Sequence, residues 1–279
     1  MLLEVAIGDA YGAGFEFAEP DFVSVENDLQ RYRQHPCHKL KPGSYTDDTQ
    51  MSLAIAELLI SHQLWTRENL ADKFVEVFRR DPREGYAGKF YQFLLEVRDG
   101  TEFLANIQGN SDRSGAAMRA TPIGILPSIE KVIEAATIQA AITHNSNDGI
   151  NAAVAAALMV HYFIYRLGAK AQLGDFIEQW VPGYNWGEKW EGKVTTLGWH
   201  CVKAAITAVM QNDSLSKVLR DSIAFTGDVD TVAAIALGTA ACSEEITTDL
   251  PSTLIDTLEN GHHGKDYILN LDWQLMSLI

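Results

Sequence analysis

The apolar residues of this chain recur with the period of an α-helix along most of its length, and this pattern constrains the fold more than any other feature of the sequence. Leu70, Phe74, Val77 and Phe78, for example, fall on one helical face. Helices are predicted over residues 50–60, 69–78, 88–97, 150–165, 194–210 and 232–241. The last three are rich in alanine, the strongest helix former. Alternating apolar and polar runs typical of strands are scarce, so the sequence predicts an all-α fold.

The spacing of the helix breakers bears on domain organisation. Most of the eight prolines lie between the predicted helices, as expected for helix boundaries. There is no repeat period and no low-complexity linker within the 279 residues. We therefore predict one compact multi-helix domain spanning residues 1–279, with long loops at 19–45 and 181–192. Long loops in compact domains are often functional.

The charge balance and the cysteines exclude several classes of function. The net charge is −15, with 37 acidic against 22 basic residues, which disfavours nucleic-acid binding because phosphates would be repelled. The most apolar stretch, 152–165, is too short to span a bilayer and is predicted to be a buried helix. The cysteines are odd in number and widely spaced, which indicates a reducing, cytoplasmic setting.

Two short acidic segments stand immediately before predicted helices: Thr46-Asp47-Asp48-Thr49 and Asp228-Val229-Asp230-Thr231. One interpretation is structural, because Asp and Thr are favoured N-caps and acidic residues complement the helix dipole. The other is a metal site, because a cap needs one acceptor whereas each segment offers two carboxylates and a hydroxyl. For either segment taken alone, both interpretations stay open.

Convergence of the two segments would favour the metal site. Four carboxylates would then share a small volume, and each like-charge pair at about 4 Å would cost about 4 kcal/mol at an effective dielectric constant of ~20. Divalent cations reverse that sign, and hard cations such as Mg²⁺ prefer carboxylate and hydroxyl oxygens. Four carboxylates would also balance two such ions.

Three further segments combine small and polar residues. Residues 8–16 contain three glycines that interrupt the helical pattern, with Asp9 and Glu16 as additional carboxylates. Residues 110–119 place small polar residues before a helix, where backbone N–H groups can bind phosphate, although an ordinary capped loop has the same pattern. Residues 143–146 contain His144, a residue type that more often packs or caps than binds a ligand.

The ordered set of motifs resembles the ADP-ribosylglycohydrolases, which include dinitrogenase reductase-activating glycohydrolase and the ADP-ribosylarginine and ADP-ribosylserine hydrolases. The matching pieces are GDAYGAGFEF (8–17), YTDDTQ (45–50), SGAAMRATPIG (114–124), THNS (143–146) and TGDVDT (226–231). Each motif alone is weak, but they span nearly the whole chain in the order of the family.

The resemblance implies an all-α fold with a binuclear Mg²⁺ or Mn²⁺ centre in a cleft. It implies metal ligands at Thr46, Asp47, Asp48, Asp228, Asp230 and Thr231. The implied catalytic carboxylates are Glu16, Asp47 and Asp48. The implied diphosphate loop comprises Asn110, Ser111, Asp112, Arg113, Ser114, Gly115 and Ala116. By the same resemblance, His144 contacts the ADP-ribose.

The implied reaction is hydrolysis of the bond between ribose C1″ and an acceptor atom, which releases ADP-ribose through a transition state with oxocarbenium character. Two alternatives stay open: an ADP-ribose-binding or crystallin-like structural protein without turnover, and a binuclear phosphohydrolase. The acceptor is not specified by the motifs. Peripheral loops contain aromatic residues that are either packing residues or part of the cleft. These residues are Tyr86, Trp186 and Trp190.

Two departures from the usual motifs of the family concern ligand selectivity. The family often has Gly-Asn-Gly before Ala-Met-Arg, whereas this chain has Arg113-Ser114-Gly115. The late motif usually reads Gly-Gly-Asp-Thr-Asp-Thr, whereas Thr226 and Val229 occupy two of those positions here. The ligand types survive both changes, so metal binding is expected to survive as well.

Overall fold

The computed structural model describes residues 1–37 and 39–279, and in this part of the chain the secondary structure is helical, with isolated bridges and no β-strand. The helices are α1 Leu2–Gly12, α2 Pro20–Glu26, α3 Asp47–Ile60, α4 Arg67–Arg80, α5 Gly88–Glu96, α6 Gly100–Asn106, α7 Gly115–Met118, α8 Ile129–Thr143, α9 Asn147–Ile164, α10 Leu173–Trp180, α11 Gly198–Gln211, α12 Leu215–Ala224, α13 Val229–Ala240, α14 Ser252–Thr257 and α15 Lys265–Met276. Short 3-10 turns occupy Thr121–Ile125 and Lys170–Gln172. The predicted all-α fold is confirmed.

The boundaries differ from the predicted ones at three places. The predicted loop 19–45 contains α2, because Pro20 at the first helical position is compatible with a helix start. The helix predicted from residue 194 begins only at Gly198, since residues 194–197 are held in bridges and turns against other segments. The glycine-rich segment 8–14 does not break α1 until Gly12.

Helices α1 and α13 pack closely along their length and form the centre of the molecule. A Cβ atom at Gly8 would lie 2.4 Å from the Ala233 carbonyl oxygen, and one at Gly12 would lie 2.4 Å from the Asp230 Cα. Glycine at these positions, one helical turn apart, lets the two backbones touch. This contact brings the end of α1 against the start of α13, where Asp230 lies.

The alanine-rich helices form the core around this pair. Residues 152–163 of α9 are buried, which confirms the prediction of a core helix. Small side chains let α9 approach its neighbours α8, α11 and the 3-10 turn at Thr121–Ile125. Within residues 1–37 and 39–279, no helix combines the length and the apolar character that crossing a bilayer would require.

Candidate active site

One cavity of about 410 Å³ collects most of the motifs that the sequence singled out. One group of its lining residues, here called the acidic end, comprises Glu16, Asp47, Asp48, Asp228, Asp230 and Thr231. A second group, here called the donor end, comprises Ser111, Arg113, Ser114, Gly115, Arg119 and His144, and it meets the first where Ser114 contacts Asp228. The two acidic segments, about 180 residues apart in the sequence, therefore do converge.

The acidic end is formed by two helix starts and the segment that follows α1. Asp47 and Asp48 are the first residues of α3, and Asp228 and Asp230 flank the first residue of α13. All four carboxylates are buried, between 3% and 9% exposed. One carboxylate oxygen from each of Glu16, Asp228 and Asp230 lies within 4.8 Å of the others. Glu16, predicted as a catalytic residue, thus lies beside the predicted metal ligands.

Neither acidic segment serves as a side-chain N-cap of its own helix. Thr46 and Asp228 occupy the N-cap positions of α3 and α13 and make no capping side-chain bond there. Instead, Asp9 of α1 reaches the start of α3, where its oxygens accept the backbone N–H groups and the hydroxyls of Thr46 and Thr49 at 2.5–3.1 Å. Asp9 therefore caps α3 from another helix, and the carboxylates of Asp47 and Asp48 are not needed for that task.

Burial and mutual repulsion raise the pKa values of these acids. Burial is the larger cause for Asp47, Asp48 and Asp230, and the charges of neighbouring carboxylates add to it. The same causes raise the pKa of Glu16 to about 7, with Asp228 as the first neighbour. Clusters of buried acids with raised pKa values are typical of functional sites rather than of structural ion pairs.

Whether this site suits divalent cations depends on which protein groups already pair with the buried carboxylates. Among residues 1–37 and 39–279, no ion pair joins Glu16, Asp47, Asp48, Asp228 or Asp230 to a basic side chain. The Oδ1 atom of Asp48 is buried without a hydrogen-bond partner in this part of the chain. Buried charges need a counter-charge, and an all-oxygen donor set suits Mg²⁺ or Mn²⁺. The residues present fit such ions.

Hydrogen bonds orient Asp228 from the donor end. Its Oδ2 accepts the Ser114 hydroxyl at 3.0 Å, and the Cys201 thiol lies 3.5 Å from the same atom. Asp230 Oδ1 accepts the backbone N–H of Thr231 at 2.9 Å. Thr46 and Thr231 are the two predicted threonine ligands, and of these only Thr231 lines the cavity. The hydroxyl of Thr46 donates to Asp9 instead.

Four of the seven residues of the predicted diphosphate loop line the cavity. Ser111, Arg113, Ser114 and Gly115 line the wall, and so does His144. The other three predicted residues do not: Asn110 pairs with the backbone of His144, Asp112 accepts the Gly198 N–H, and the Ala116 carbonyl accepts from Gln139. Their assigned roles stay predictions.

Of the aromatic residues considered for the cleft, one lines the cavity and two do not. Tyr86 lines the cavity together with Phe90, which the sequence did not single out. Trp186 is fully buried and donates its indole N–H to the Val181 carbonyl, and Trp190 packs edge-to-face on Trp199 and at a tilt against His200. The two tryptophans are packing residues.

Asp9, Thr143 and Arg119 also belong to the site or its support, although no site role was predicted for them. In the sequence, Asp9 is only an additional carboxylate of the glycine-containing segment 8–16. Arg119 and Thr143 lie within or beside quoted motifs, but their contacts depend on residues that are distant in sequence. The only sequence signal was a basic residue in an apolar context, Ala116-Ala117-Met118-Arg119.

Comparison with known proteins places the chain in a family. The sequence profile of the ADP-ribosylglycohydrolase family matches residues 1–278. The ADP-ribosyl-[dinitrogen reductase] glycohydrolase of Rhodospirillum rubrum is 26% identical over 92% of this chain and 88% of its own length. The ADP-ribosylhydrolase ARH3 of Bos taurus is 32% identical over 62% of this chain and 50% of its own.

The chain spans about half the length of the ARH3 relatives that it matches. A solved structure described as an ADP-ribosylglycohydrolase-related protein complex superposes with a TM-score of 0.75. It is 22% identical and the superposition covers 99% of this chain and 95% of that one, which shows a shared fold. On the match of its whole length to the family profile, the chain belongs to the ADP-ribosylglycohydrolase family.

Proposed function

We propose that this chain is an ADP-ribosyl glycohydrolase that depends on two divalent cations, Mg²⁺ or Mn²⁺, and releases ADP-ribose from an ADP-ribosylated acceptor. The observation that carries the proposal is the buried cluster of carboxylates without basic partners at one end of a cavity of about 410 Å³, with hydrogen-bond donors and two arginines at the other. The named relatives support the same reaction class.

The charge pattern of the cavity suits the two ends of such a substrate. A diphosphate is anionic and needs N–H donors and positive charge, which Arg113, Arg119 and His144 of the donor end supply. The ribose that reacts is neutral and rich in hydroxyls. We place it at the acidic end, where the proposed ions would be held by Asp47, Asp48, Asp228 and Asp230 together with Thr231.

When bound, divalent cations would neutralise these carboxylates and polarise the ribose hydroxyls, which orients C1″. Thr46, an expected ligand, supports the set by fixing the start of α3 through its bond to Asp9. Asp228 is kept in place by the Ser114 hydroxyl. The role of the protein groups at this end is therefore to hold the reacting ribose in one orientation beside a carboxylate.

Hydrolysis breaks the bond from C1″ to the acceptor atom and forms a bond from C1″ to the oxygen of water. The water loses a proton in this process and the departing acceptor atom gains one. Glu16, Asp47 and Asp48 are the candidates for these transfers. Glu16 is the least buried of the three and has a pKa raised by burial to about 7, so its carboxyl oxygens can hold or release a proton near neutral pH.

A turnover assay with product analysis tests the proposal. Protein stripped with a chelator is incubated with ADP-ribosylated substrates, with and without Mg²⁺ or Mn²⁺, and the products are separated by chromatography. We expect free ADP-ribose, released only when a divalent cation is present. Release of AMP or phosphate instead would assign a phosphohydrolase, and tight ADP-ribose binding without turnover on every substrate would assign a binding protein.

The acceptor is determined with a panel of substrates in the same assay. The panel contains arginine-linked and serine-linked ADP-ribosyl peptides, an ADP-ribosylated nucleic-acid end and an O-acyl ADP-ribose. The proposal treats residues 1–279 as one functional domain, because residues from 16 to 231 line the cavity together. A reducing compartment such as the cytoplasm is the proposed location, since the three cysteines form no disulfide.

A further inference from the structure

A buried series of hydrogen bonds joins Arg119 to His144 at the donor end. The Arg119 side chain is 2% exposed, and its Nη2 atom donates to the Thr143 Oγ1 at 2.9 Å. The Thr143 Oγ1 in turn lies 2.7 Å from the Nδ1 of His144. In the function proposed above Thr143 has no role, and Arg119 contributes only positive charge at the donor end.

The surroundings of Arg119 fix its guanidinium in one orientation. Its Nε donates to the Gln139 Oε1 at 2.6 Å, and Nη2 also donates to the Gln139 carbonyl at 3.0 Å. The guanidinium carbon lies 4.4 Å from the centre of the Phe74 ring. The Gln139 amide nitrogen donates to the Ala116 carbonyl at 3.0 Å, which sets the orientation of that amide. No carboxylate in residues 1–37 or 39–279 forms an ion pair with Arg119.

Counting protons along this series determines the tautomer of His144. A guanidinium has donors only, and although burial lowers the pKa of Arg119 to about 9, the group stays cationic at neutral pH. The Thr143 oxygen therefore accepts from Arg119, and its single proton goes to its other partner, the Nδ1 of His144. A neutral imidazole that accepts at Nδ1 has its proton on Nε2.

The neutral charge of the His144 ring and the position of its Nε2 atom make the Nε2–H group a donor toward the cavity. Burial, together with the charge of Arg119, lowers the pKa of His144 to about 3, so the ring is neutral at physiological pH. A methyl group at Gly115 would lie 3.2 Å from Nε2, which places that nitrogen beside the wall of the predicted diphosphate loop. Within the described part of the chain, the only hydrogen bond of the ring is the one at Nδ1.

We propose that Arg119 and Thr143 are positioning residues that hold His144 in the Nε2–H tautomer, so that it donates a hydrogen bond to a diphosphate oxygen of the ligand. The diphosphate is the anionic part of ADP-ribose, and Nε2 lies beside Gly115 of the predicted diphosphate loop. The identity of this ligand rests on the proposed function, whereas the tautomer is a property of the free protein.

Nitrogen NMR of histidine-labelled protein at pH 7 tests the tautomer without turnover. The His144 signals are assigned by their loss in a His144→Gln variant. We expect a protonated Nε2 and an unprotonated Nδ1 in the wild type and in Thr143→Ser, which keeps the hydroxyl. Thr143→Val has nearly the same shape but no hydroxyl, and Arg119→Lys lacks the planar fork. In both, the proton should redistribute between the two ring nitrogens.

Calorimetry with ADP-ribose tests the consequence for binding. Thr143→Val should raise the Kd about tenfold, which is about 1.4 kcal/mol, while Thr143→Ser should stay within about twofold of the wild type. His144→Gln should bind better than His144→Asn, because the glutamine amide nitrogen reaches the position of Nε2 and that of asparagine the position of Nδ1. A purely structural role of Thr143 would lower the melting temperature of Thr143→Val while leaving its Kd near that of Thr143→Ser.

Several results would overturn the proposal. A wild-type ring that is protonated on Nδ1, or on both nitrogens, contradicts the proton count directly and needs no variant. Unchanged nitrogen signals and an unchanged Kd in Thr143→Val would show that the hydrogen bonds from Arg119 through Thr143 do not hold the tautomer of His144. If Thr143→Val fails to fold, Arg119→Lys and the pair at His144 decide the same question. If the predicted tautomer is found but ADP-ribose does not bind, it is the proposed function that fails.

Discussion

The acidic end and the donor end of the cavity differ in how completely their buried polar atoms are partnered. At the donor end, the hydrogen-bond series from Gln139 through Arg119 and Thr143 to His144 fixes the orientation of its members. At the acidic end, five carboxylates lie together without basic partners and the Asp48 Oδ1 has no hydrogen bond in the described structure. The first end is preorganised by the protein, whereas we propose that the second takes its counter-charges from bound cations.

The same contrast separates Asp48, at the acidic end, from Asp9, which does not line the cavity. Asp9 is fully buried, yet its oxygens accept four N–H and O–H groups from Thr46 and Thr49. Asp48 is nearly as buried and lacks comparable bonds. Burial and an acidic side chain are therefore insufficient to identify a metal ligand. The hydrogen bonds that the protein already provides give Asp9 a structural role, whereas Asp48 remains a proposed metal ligand.

The largest expected effect comes from replacing carboxylates of the acidic end. Removing groups that merely support metal ligands typically costs 10–100-fold in activity, so Asp48→Asn and Asp230→Asn should each lower kcat/KM by more than about 100-fold. Metal-free protein should not be destabilised by Asp48→Asn, because the change removes one charge from a repulsive cluster. Release of ADP-ribose and thermal unfolding in a chelator are the two measurements.

The matched control for that prediction is Asp9→Asn. An amide there turns an NH₂ group toward N–H donors at the start of α3, which leaves buried donors unsatisfied at a cost of about 1–3 kcal/mol. Asp9→Asn should therefore lower the melting temperature of metal-free protein, in contrast to Asp48→Asn. Equal destabilisation by both variants would contradict the distinction between the two carboxylates.

A smaller effect is expected on the stability of the unmodified chain when cations are added. An ion present at about 100 times its Kd stabilises the folded state by about 2.7 kcal/mol, which corresponds to a rise of roughly 5–10 °C in Tm. The metal-free protein should also lose stability as the pH rises from 4.5 to about 7. Glu16 binds its proton more tightly in the folded than in the unfolded chain over this range.

Differential scanning calorimetry at several pH values, with a chelator or with Mg²⁺ or Mn²⁺, measures both effects. Addition of the cation should reduce the fall of Tm with rising pH, because bound cations favour the ionised carboxylates. A Tm that does not respond to either ion at any pH would contradict the metal assignment while leaving the donor end unaffected.

The sequence was sufficient for the fold class, whereas the convergence of the two acidic segments was implied only by the resemblance of the ordered motifs to a family. Apolar periodicity and alanine content follow directly from how helices bury one face, so helices such as α4 and α9 were predicted to within a few residues. The ordered motifs linked residues 46–48 to 228–231. Their convergence depends on the close packing of α1 on α13, which Gly8 and Gly12 allow but which no local rule predicts.

What the sequence could not provide is the direction in which each polar group points. Asp9 and Asp48 are both acidic residues near turns, and only the assembled fold shows that the first caps α3. The link from Arg119 to His144 likewise depends on the approach of α7 to the end of α8. Hydrogen bonds across elements require relative helix positions, which single-residue propensities do not contain.

The smallest predicted effect concerns Arg113, where the family often has glycine. The Arg113 backbone pairs with Leu197 and does not have a positive φ, so the position does not require glycine. Its side chain is exposed at the edge of the donor end and has no ion pair in residues 1–37 and 39–279. Its charge is therefore available to a diphosphate but is screened by solvent, unlike that of Arg119.

Arg113→Gln should accordingly raise KM for the ADP-ribosylated substrate by only about two- to fivefold, the range of an exposed ion pair of 0.5–1 kcal/mol. The increase should shrink as ionic strength rises from about 0.01 M to 1 M, because the Debye length falls from about 30 Å to 3 Å. Arg113→Gly should match Arg113→Gln if charge alone matters. A glycine variant that binds better than wild type would show instead that the arginine stiffens or narrows the loop, and that the donor end is less preorganised for its ligand than its internal bonds indicate.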